Sequence, residues 1–549
     1  MVFLHDRTKK TRVVHVNMMR KYTPRITCFI STKLDKFNDV EEFENVTPAS
    51  FPESMKRTAT SDETKINPNL NAIQLIHIRK ILKKYDAVFS DLPGSTDLLR
   101  HQIRTIDDTP INCVPYTVPQ ALIPIVQKEI EVALQLGLIT PVTNEQNPTA
   151  YASPTLMVKK KGGSGYRLVI DHRALNRKTI PQRYRIPNAS HLIDKVSNAR
   201  YLSVIDLTRG YNQVRICEPD VHKTGFLCLG RHYVCQYLSF GLCGGPSSFQ
   251  LLMDTVLSGM EEFALSFIDD ICIYSSPFEE HMRHLELVLE ALQKANLTAQ
   301  PTKVQLAMNK INFLGHVVGS GQKAVDQEKI NVLEGIRIPR TKRDVRGFLG
   351  FIGFYRTFIK SFSEVAAPLS DLLRKESPEL VPWTEKTQRA FNQLKSALQT
   401  APVLIAPNFS KKFFVLVDSS QFAVGAVLCH TDKEVMQPIL FIGRKFTPCE
   451  TRLSATEREV LGILSMLTKL KYYLLGRNFV LLTDVKSLVY LKNAASKSAK
   501  LTRWSLLLSE FEFEVAHVPG HLFKVPDYLS RYVEFTEANS TPTEASGRL

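Results

Sequence analysis

The sequence predicts a multidomain protein of α+β and α/β class, on three observations. The chain has 549 residues, more than a single hydrophobic core accommodates. Between residues 154 and 297, short β-branched runs alternate with longer runs of helical spacing. From residue 411 a second unit shows three strand-like runs, a helix, a strand and a helix, in that order.

The totals bound the rest. Hydrophobic content of 44% and charged content of 23% are ordinary for globular domains, so sizeable cores are expected. No run of 18 apolar residues occurs, so no membrane span is expected. MVFLHDRTKK lacks the apolar core of a signal peptide. The nine cysteines include no CxxC pair and no Cys/His zinc spacing, and read as reduced intracellular thiols. A net charge of +16 favours a polyanionic partner, most simply nucleic acid.

Each segment follows in order. Residues 1–25 form a basic arm with seven Lys/Arg and one acidic residue. Residues 26–115 read as linker and lead-in: 36–64 are acidic and polar, and 68–90 look helical. A helix is expected from Pro119 to Leu138. Strands are expected in PTLMVKKK, YRLVIDH, YLSVIDL, YNQVRI, HYVCQYL and SFIDDICIY, with helices in GPSSFQLLMDTVLSGM and PFEEHMRHLELVLEALQKANL. Residues 341–375 and 384–399 read as helices. In the second unit KFFVLVD, AVGAVLCH, PILFIGRKF and NFVLLTD read as strands and TEREVLGILSMLTKLKYYL as a helix. The tail, 533–549, is polar and expected to be disordered.

One stretch asks for chemistry. In ALSFIDDICIYSS, Asp269 and Asp270 stand between two apolar runs, where a hairpin turn belongs. Read alone they are a tight turn, since Asp is a good turn residue. The other reading is a metal site, because clustered carboxylates hold divalent cations for phosphoryl transfer. That reading needs a third carboxylate. Asp206 ends the apolar run YLSVID, 63 residues upstream of Asp269. Between them lies a Gly-rich turn, LSFGLCGGPSSFQ, and upstream a basic hairpin, VKKKGGSGYR.

In this order the segments resemble the right-hand polymerase of a reverse transcriptase, in the gypsy class of LTR retrotransposon Pol polyproteins. DLPGSTDLLRHQIRTIDDTPINCVPYTVP is similar to the class's lead-in segment. YASPTLMVKKKGGSGYRLVIDHRALNRKTIPQRYRIP resembles its fingers. YLSVIDLTRGYNQV, LSFGLCGGPSSFQ and FIDD resemble its core palm motifs, and INFLGHVV its primer grip. The resemblance implies fingers and palm over 116–315, thumb and connection over 316–410, and an RNase H-like mixed-sheet domain over 411–532.

The resemblance also implies roles. Asp206 and Asp269 would be the bridging ligands of two Mg²⁺ ions, with Mn²⁺ as substitute, and Asp270 a supporting carboxylate. The backbone carbonyl of Leu207 would touch a metal. Lys160 and Arg167 would clamp a dNTP triphosphate, with a solvated basic hairpin as the alternative reading of both. Tyr211 would exclude a ribose 2′-OH, and is equally readable as a core aromatic. Phe240 and Gln250 match pocket positions, and Lys303 matches a basic residue that assists leaving-group protonation. Two departures from the family pattern stand out. Phe267 precedes the Asp pair where Tyr is usual, and GGPSS replaces an Ala-rich form, a change expected to loosen the turn.

In the RNase H-like unit, the resemblance places Asp418, Glu459, Asp484 and Asp527 as ligands of a second two-metal site, with His517 as its mobile histidine or a plain loop residue. Glu457 is a rival to Glu459. Phe523 and Pro526 depart from the family pattern, and proline suits the helix start expected there.

TRVVHVNMMRKY, 11–22, is similar to the last strand and tail of a retrotransposon integrase, or is an ordinary basic arm; on the first reading Met1 lies inside a truncated polyprotein. No aspartic-protease motif and no integrase core occur in the sequence.

The expectation is thus an RNA-directed DNA polymerase with RNase H endonuclease activity. Its partners would be RNA template, DNA primer and product, RNA–DNA hybrid and dNTPs, without membrane, and with a homodimer or particle proteins as further partners. Its place would be intracellular, in a cytoplasmic retroelement particle or the nucleus. The alternatives are a catalytically silent nucleic-acid-binding remnant or host-adopted protein, and a chain in which only the RNase H works.

Overall fold

The protein is described here by a computed structural model that covers residues 2–5, 11–14, 57, 59–143, 148–159, 165–182, 184–432, 435–483 and 499–517. It divides into two units, Met1–Lys56 and Arg57–Leu549. In the first, Val2–His5 and Thr11–Val14 pair as an antiparallel hairpin with Val2 opposite Val14. The rest of the basic arm, and the tail 533–549, lie outside the described residues.

In the second unit a five-stranded sheet carries the Asp residues. Its order is Ala264–Phe267, Asp270–Ser275, Tyr201–Asp206, Gln305–Met308 and Lys65–Ile66. Tyr201–Asp206 lies in the middle and is buried up to its final residue, which is why it reads as an unbroken apolar run. Helix Phe278–Lys294 packs on Asp270–Ser275 through Met282, Leu285, Val288, Leu289 and Leu292. Those residues recur at three- and four-residue spacing, the apolar stripe of a surface helix. Helix Gly245–Val256 covers the edge strand Ala264–Phe267.

A second sheet, ordered Ile139–Pro141, Arg231–Cys235, Phe226–Cys228, Ser153–Lys159 and Tyr166–Ile170, holds the basic hairpin. A third joins Ile311–Phe313, His316–Gly319, Gln322–Val325 and Leu404–Ile405. The last has the order Val435–Lys445, Ala423–Asp432, Phe413–Ser419, Phe479–Thr483, Phe513–His517. Its first three strands are antiparallel and its last three parallel, a mixed sheet as expected. Helix Ala455–Lys469 covers it. Among the described residues no helix is long and apolar enough to cross a membrane.

Several expectations are corrected. The linker ends sooner than its polarity suggests: Ser61 is buried, and Lys65–Ile66 pairs with Gln305–Leu306. The helix of 68–90 is confined to Ala72–Lys84, begun by an Asn71–Gln74 capping box and followed by a 3-10 turn. That of Pro119–Leu138 is an α-helix only over Ile123–Gln135, since Gly137 at φ 65° ends it. YNQVRI is a strand only over Val214–Ile216, because Gly210–Gln213 wraps as a 3-10 helix. The helix of 341–375 breaks into Lys342–Phe354, Phe362–Val365 and Ala367–Asp371 with a 3-10 turn at Arg356–Phe358. Ser361, at φ 52°, is the break before the second piece.

The second glycine of the Gly-rich turn stands where the backbone is left-handed. Gly244 caps helix Gly245–Val256 at φ 79°, a left-handed conformation that a side chain adopts only with strain.

Candidate active site

The hairpin between Ala264–Phe267 and Asp270–Ser275 closes one residue earlier than the sequence suggests. Phe267 pairs with Asp270, so the turn residues are Ile268 and Asp269, and Asp270 is the first residue of its strand. Ile268 sits at φ 56°. A β-branched residue there is strained, and the surroundings must hold it. Gln250 does so: its Oε1 accepts from the Ile268 N–H at 2.9 Å. Its Nε2 donates to Asp254 Oδ1 at 2.8 Å and Ser266 Oγ at 3.0 Å. Gln250 is therefore fully buried and supports the turn from within.

The same hairpin aligns the carboxylates. Asp270 is the register partner of Asp206 on the neighbouring strand, with Asp269 beside them in the turn. Burial, together with the charges of Asp270 and Asp206, pushes the Asp269 carboxyl up to about 6. Burial and Asp206 push Asp270 up as well. Lys303 opposes both shifts; its Nζ lies 3.2 and 3.1 Å from the two oxygens of Asp206.

A divalent cation fits this set on one observation. Asp269 Oδ1 is buried and has no hydrogen-bond partner among the described residues. A buried acceptor without a donor is costly, and a hard cation satisfies a carboxylate oxygen. Among the described residues no three His, Cys, Asp or Glu side chains already converge on one point. Asp206, turned to Lys303, would have to reorient to join the set. Leu207 forms an antiparallel bridge with Ala299. Its two bonds run from Gln300 N–H to the Asp206 carbonyl and from Thr208 N–H to the Thr298 carbonyl, so neither uses the Leu207 carbonyl.

An aromatic wall stands beside the carboxylates. The buried Tyr211 ring meets Phe240 edge-on at 5.0 Å and Phe249 at 5.4 Å. Burial, and then the Asp269 charge, raise its hydroxyl well above the ordinary phenol range, so it stays protonated. The Arg167 guanidinium lies 5.3 Å from the centre of the Phe240 ring, which is 40% exposed. Arg167 is carried there by the hairpin of Ser153–Lys159 and Tyr166–Ile170. The structure thus brings Asp206, Asp269, Asp270, Lys303, Tyr211, Phe240 and Arg167 to one site. Lys160 lies outside the described residues. Phe249 was not singled out from the sequence; its only signal there is its place beside Gln250 in SSFQ.

In the last sheet, Asp418 is exposed near the end of Phe413–Ser419. Glu459 and Gly462 share a face of helix Ala455–Lys469, three residues apart. At Gly462 a Cβ would meet Ser419 Oγ at 2.5 Å and Val424 Cγ2 at 3.0 Å. The helix therefore presses this face against the strand end that carries Asp418. Glu457, the rival, closes a capping box with Ser454 and is occupied by the helix start. His517 ends the strand Phe513–His517, opposite Thr483. Asp484, Asp527 and the His517 side chain lie outside the described residues.

Comparison with known proteins agrees with this architecture. Residues 158–318 match the family of reverse transcriptases, RNA-dependent DNA polymerases. Residues 383–481 match the RNase H-like domain found in reverse transcriptase. The chain is 32% identical over 523 residues to the retrovirus-related Pol polyprotein from transposon 297 of Drosophila melanogaster, covering 92% of this chain and 48% of that protein. It is 32% identical over 466 residues to the Pol polyprotein from transposon gypsy of the same fly, covering 82% of this chain and 44% of that protein. The chain thus spans about half the length of the curated relatives it matches. In fold it is similar to the foamy viral protease-reverse transcriptase dRH in complex with double-stranded DNA. The TM-score is 0.74 at 21% identity, over 85% of this chain and 84% of that one. The same viral protein in complex with RNA/DNA hybrid gives a TM-score of 0.68 at 21% identity, over 91% of this chain and 67% of that one.

Proposed function

We propose that this chain, which carries a reverse transcriptase domain and an RNase H-like domain of the retrotransposon Pol kind, is an RNA-directed DNA polymerase that also cleaves RNA in RNA–DNA hybrids. The observation that carries the polymerase reading is the Asp206–Asp270 register pair with the unpartnered Asp269 oxygen beside it. Asp206, Asp269 and Asp270 would hold two Mg²⁺ ions, with Mn²⁺ as substitute, and the bound metal would supply stabilisation of negative charge in nucleotidyl transfer.

The chain's own residues do the rest. Arg167, seated on Phe240, offers a planar fork to a triphosphate. Tyr211, held by two rings, walls the sugar side of the pocket and stays a neutral hydroxyl there. Lys303 pairs with both oxygens of Asp206 and is a proton source for the leaving group. Gln250 acts through the turn rather than by touching nucleotide.

The substrates in this reading are RNA template, DNA primer and dNTPs, held by a basic surface through the nucleic acid backbone. Cleavage of the hybrid falls to Asp418 and Glu459 with Asp484 and Asp527, and the work takes place in a retroelement particle or the nucleus. The nuclease-only alternative rests on a loosened Gly244–Gly245 turn and a truncated N-terminus, and it would give template cleavage without primer extension.

Primer extension on an RNA template with Mg²⁺ tests the reading. Extension together with template cleavage supports it; neither activity from the wild-type chain would leave a nucleic-acid-binding remnant.

A further inference from the structure

A buried ionic cluster, made of residues outside both sets of candidate carboxylates, ties the nuclease-like domain to the polymerase body. Asp194, on helix Ala189–Ser197, is at its centre. Its Oδ1 lies 2.7 Å from Lys323 Nζ, and the two side chains are 2% and 8% exposed. Its Oδ2 accepts from the Tyr473 hydroxyl at 2.6 Å. Lys323 is on the strand Gln322–Val325, which pairs with Leu404–Ile405. Tyr473 is on the short helix Lys471–Leu474, whose core neighbours are those of the last sheet. Three parts of the chain, separated by up to 279 positions, thus meet at one carboxylate.

Two features show that the meeting is directional. Both oxygens of Asp194 are used, one by a charge and one by a neutral donor. Such a pair fixes the approach of both partners as apolar packing does not. Beside it, the rings of His191 and Tyr472 stack at 3.8 Å and 10°. Asn198 Nδ2 donates to the Pro407 carbonyl at 2.8 Å, at the entry to the last domain. Burial, then the negative charge of Asp194, push the Tyr473 hydroxyl far above the ordinary phenol range, so it remains the donor at any physiological pH.

A buried ion pair gains little net stability over apolar packing of the same shape, since desolvation offsets the attraction. What it supplies is register. We propose that Asp194, Lys323 and Tyr473 are positioning residues that hold the nuclease site at one fixed distance from the polymerase site along a bound hybrid. This rests on the polymerase-and-nuclease reading above.

The test uses the full chain and the mild variant Tyr473→Phe, which removes one hydroxyl and leaves the ion pair in place. Asp194→Ala would strand a buried lysine and risks misfolding. Tyr472→Phe, which keeps its ring on His191, serves as control. Two readouts are taken. Hydrogen exchange is followed at 189–197 and 471–474. RNA cuts are mapped on a hybrid whose primer end is stalled by omission of one dNTP.

The expected result is that Tyr473→Phe speeds exchange in both segments together and spreads a single cluster of cuts into several, with primer extension unchanged. Tyr472→Phe leaves both readouts as in wild type. Unchanged exchange in either segment, or an unchanged cut cluster in Tyr473→Phe, overturns the proposal. If the wild-type chain neither extends nor cuts, the functional reading fails on its own, and the paired exchange still decides whether the cluster holds the domains together.

Discussion

Asp270 lies directly opposite Asp206 across two antiparallel strands, and the carboxylate beside them, Asp269, has a buried oxygen with no hydrogen-bond donor. Like charges at this spacing are unfavourable for the fold alone. They are what a site for divalent cations requires.

Asp269→Asn and Asp270→Asn should each lower primer extension by at least about 10²-fold, since metal stabilisation of the transition state is worth several kcal/mol. RNA cleavage should persist. Asp418→Asn should do the reverse. Parallel assays of extension and cleavage on one labelled hybrid check both, and joint loss in any variant would contradict two separate sites.

The same residue should reveal a stability cost. The Asp269 carboxyl is raised from 3.8 to about 6 in the fold. A raised group contributes stability below its unfolded value and loses it as pH climbs through the folded one. In divalent-free buffer at pH 7.5, Asp269→Asn should therefore be more stable than wild type by about 1–3 kcal/mol. At pH 4, where the native carboxyl is already protonated, the gain should nearly vanish. Urea midpoints at the two pH values decide it.

Gln250→Leu should unseat the turn. It leaves the Ile268 N–H without its acceptor, a loss of about 1–3 kcal/mol for a buried donor. Extension should fall and hybrid cleavage should be spared. Chemical denaturation gives the first number and the paired assay the second.

Acid should weaken the polymerase body through its histidines. His281 is buried between Ser203 and Ser275, and burial, then His284, lower it from 6.5 to about 3. Burial likewise holds His316 at about 4. A histidine with a depressed folded value is fully compatible with the fold above 6.5 and opposes it as pH falls toward that folded value. Each such group should subtract about 1.4 kcal/mol per pH unit in that window. His281→Gln should flatten the fall of the urea midpoint between pH 6.5 and 4.5; an unchanged slope would exclude His281 as its source.

Much of the site was legible in the chain itself. Asp206 and the Asp pair stand at the ends of apolar runs, and the three together, rather than the pair alone, point to chemistry. The mixed sheet of the last domain followed from the resemblance of its element order to the RNase H fold. Less legible were local breaks. The turn falls at Ile268–Asp269 because Gln250, 18 residues away, holds a strained backbone that propensity disfavours. The first described part of the lead-in joins the central sheet because Gln305–Leu306 offers it an edge.

By itself the sequence determined which residues carry charge, which runs form strands and helices, and the order of the carboxylates. These follow from side-chain chemistry and period, which are local. Only the tertiary structure decided that Asp270 faces Asp206, that Tyr211 is pinned between Phe240 and Phe249, and that Asp194 gathers Lys323 and Tyr473. Those pairings span tens to hundreds of residues, and they are set by strand register and by packing of the buried side chains.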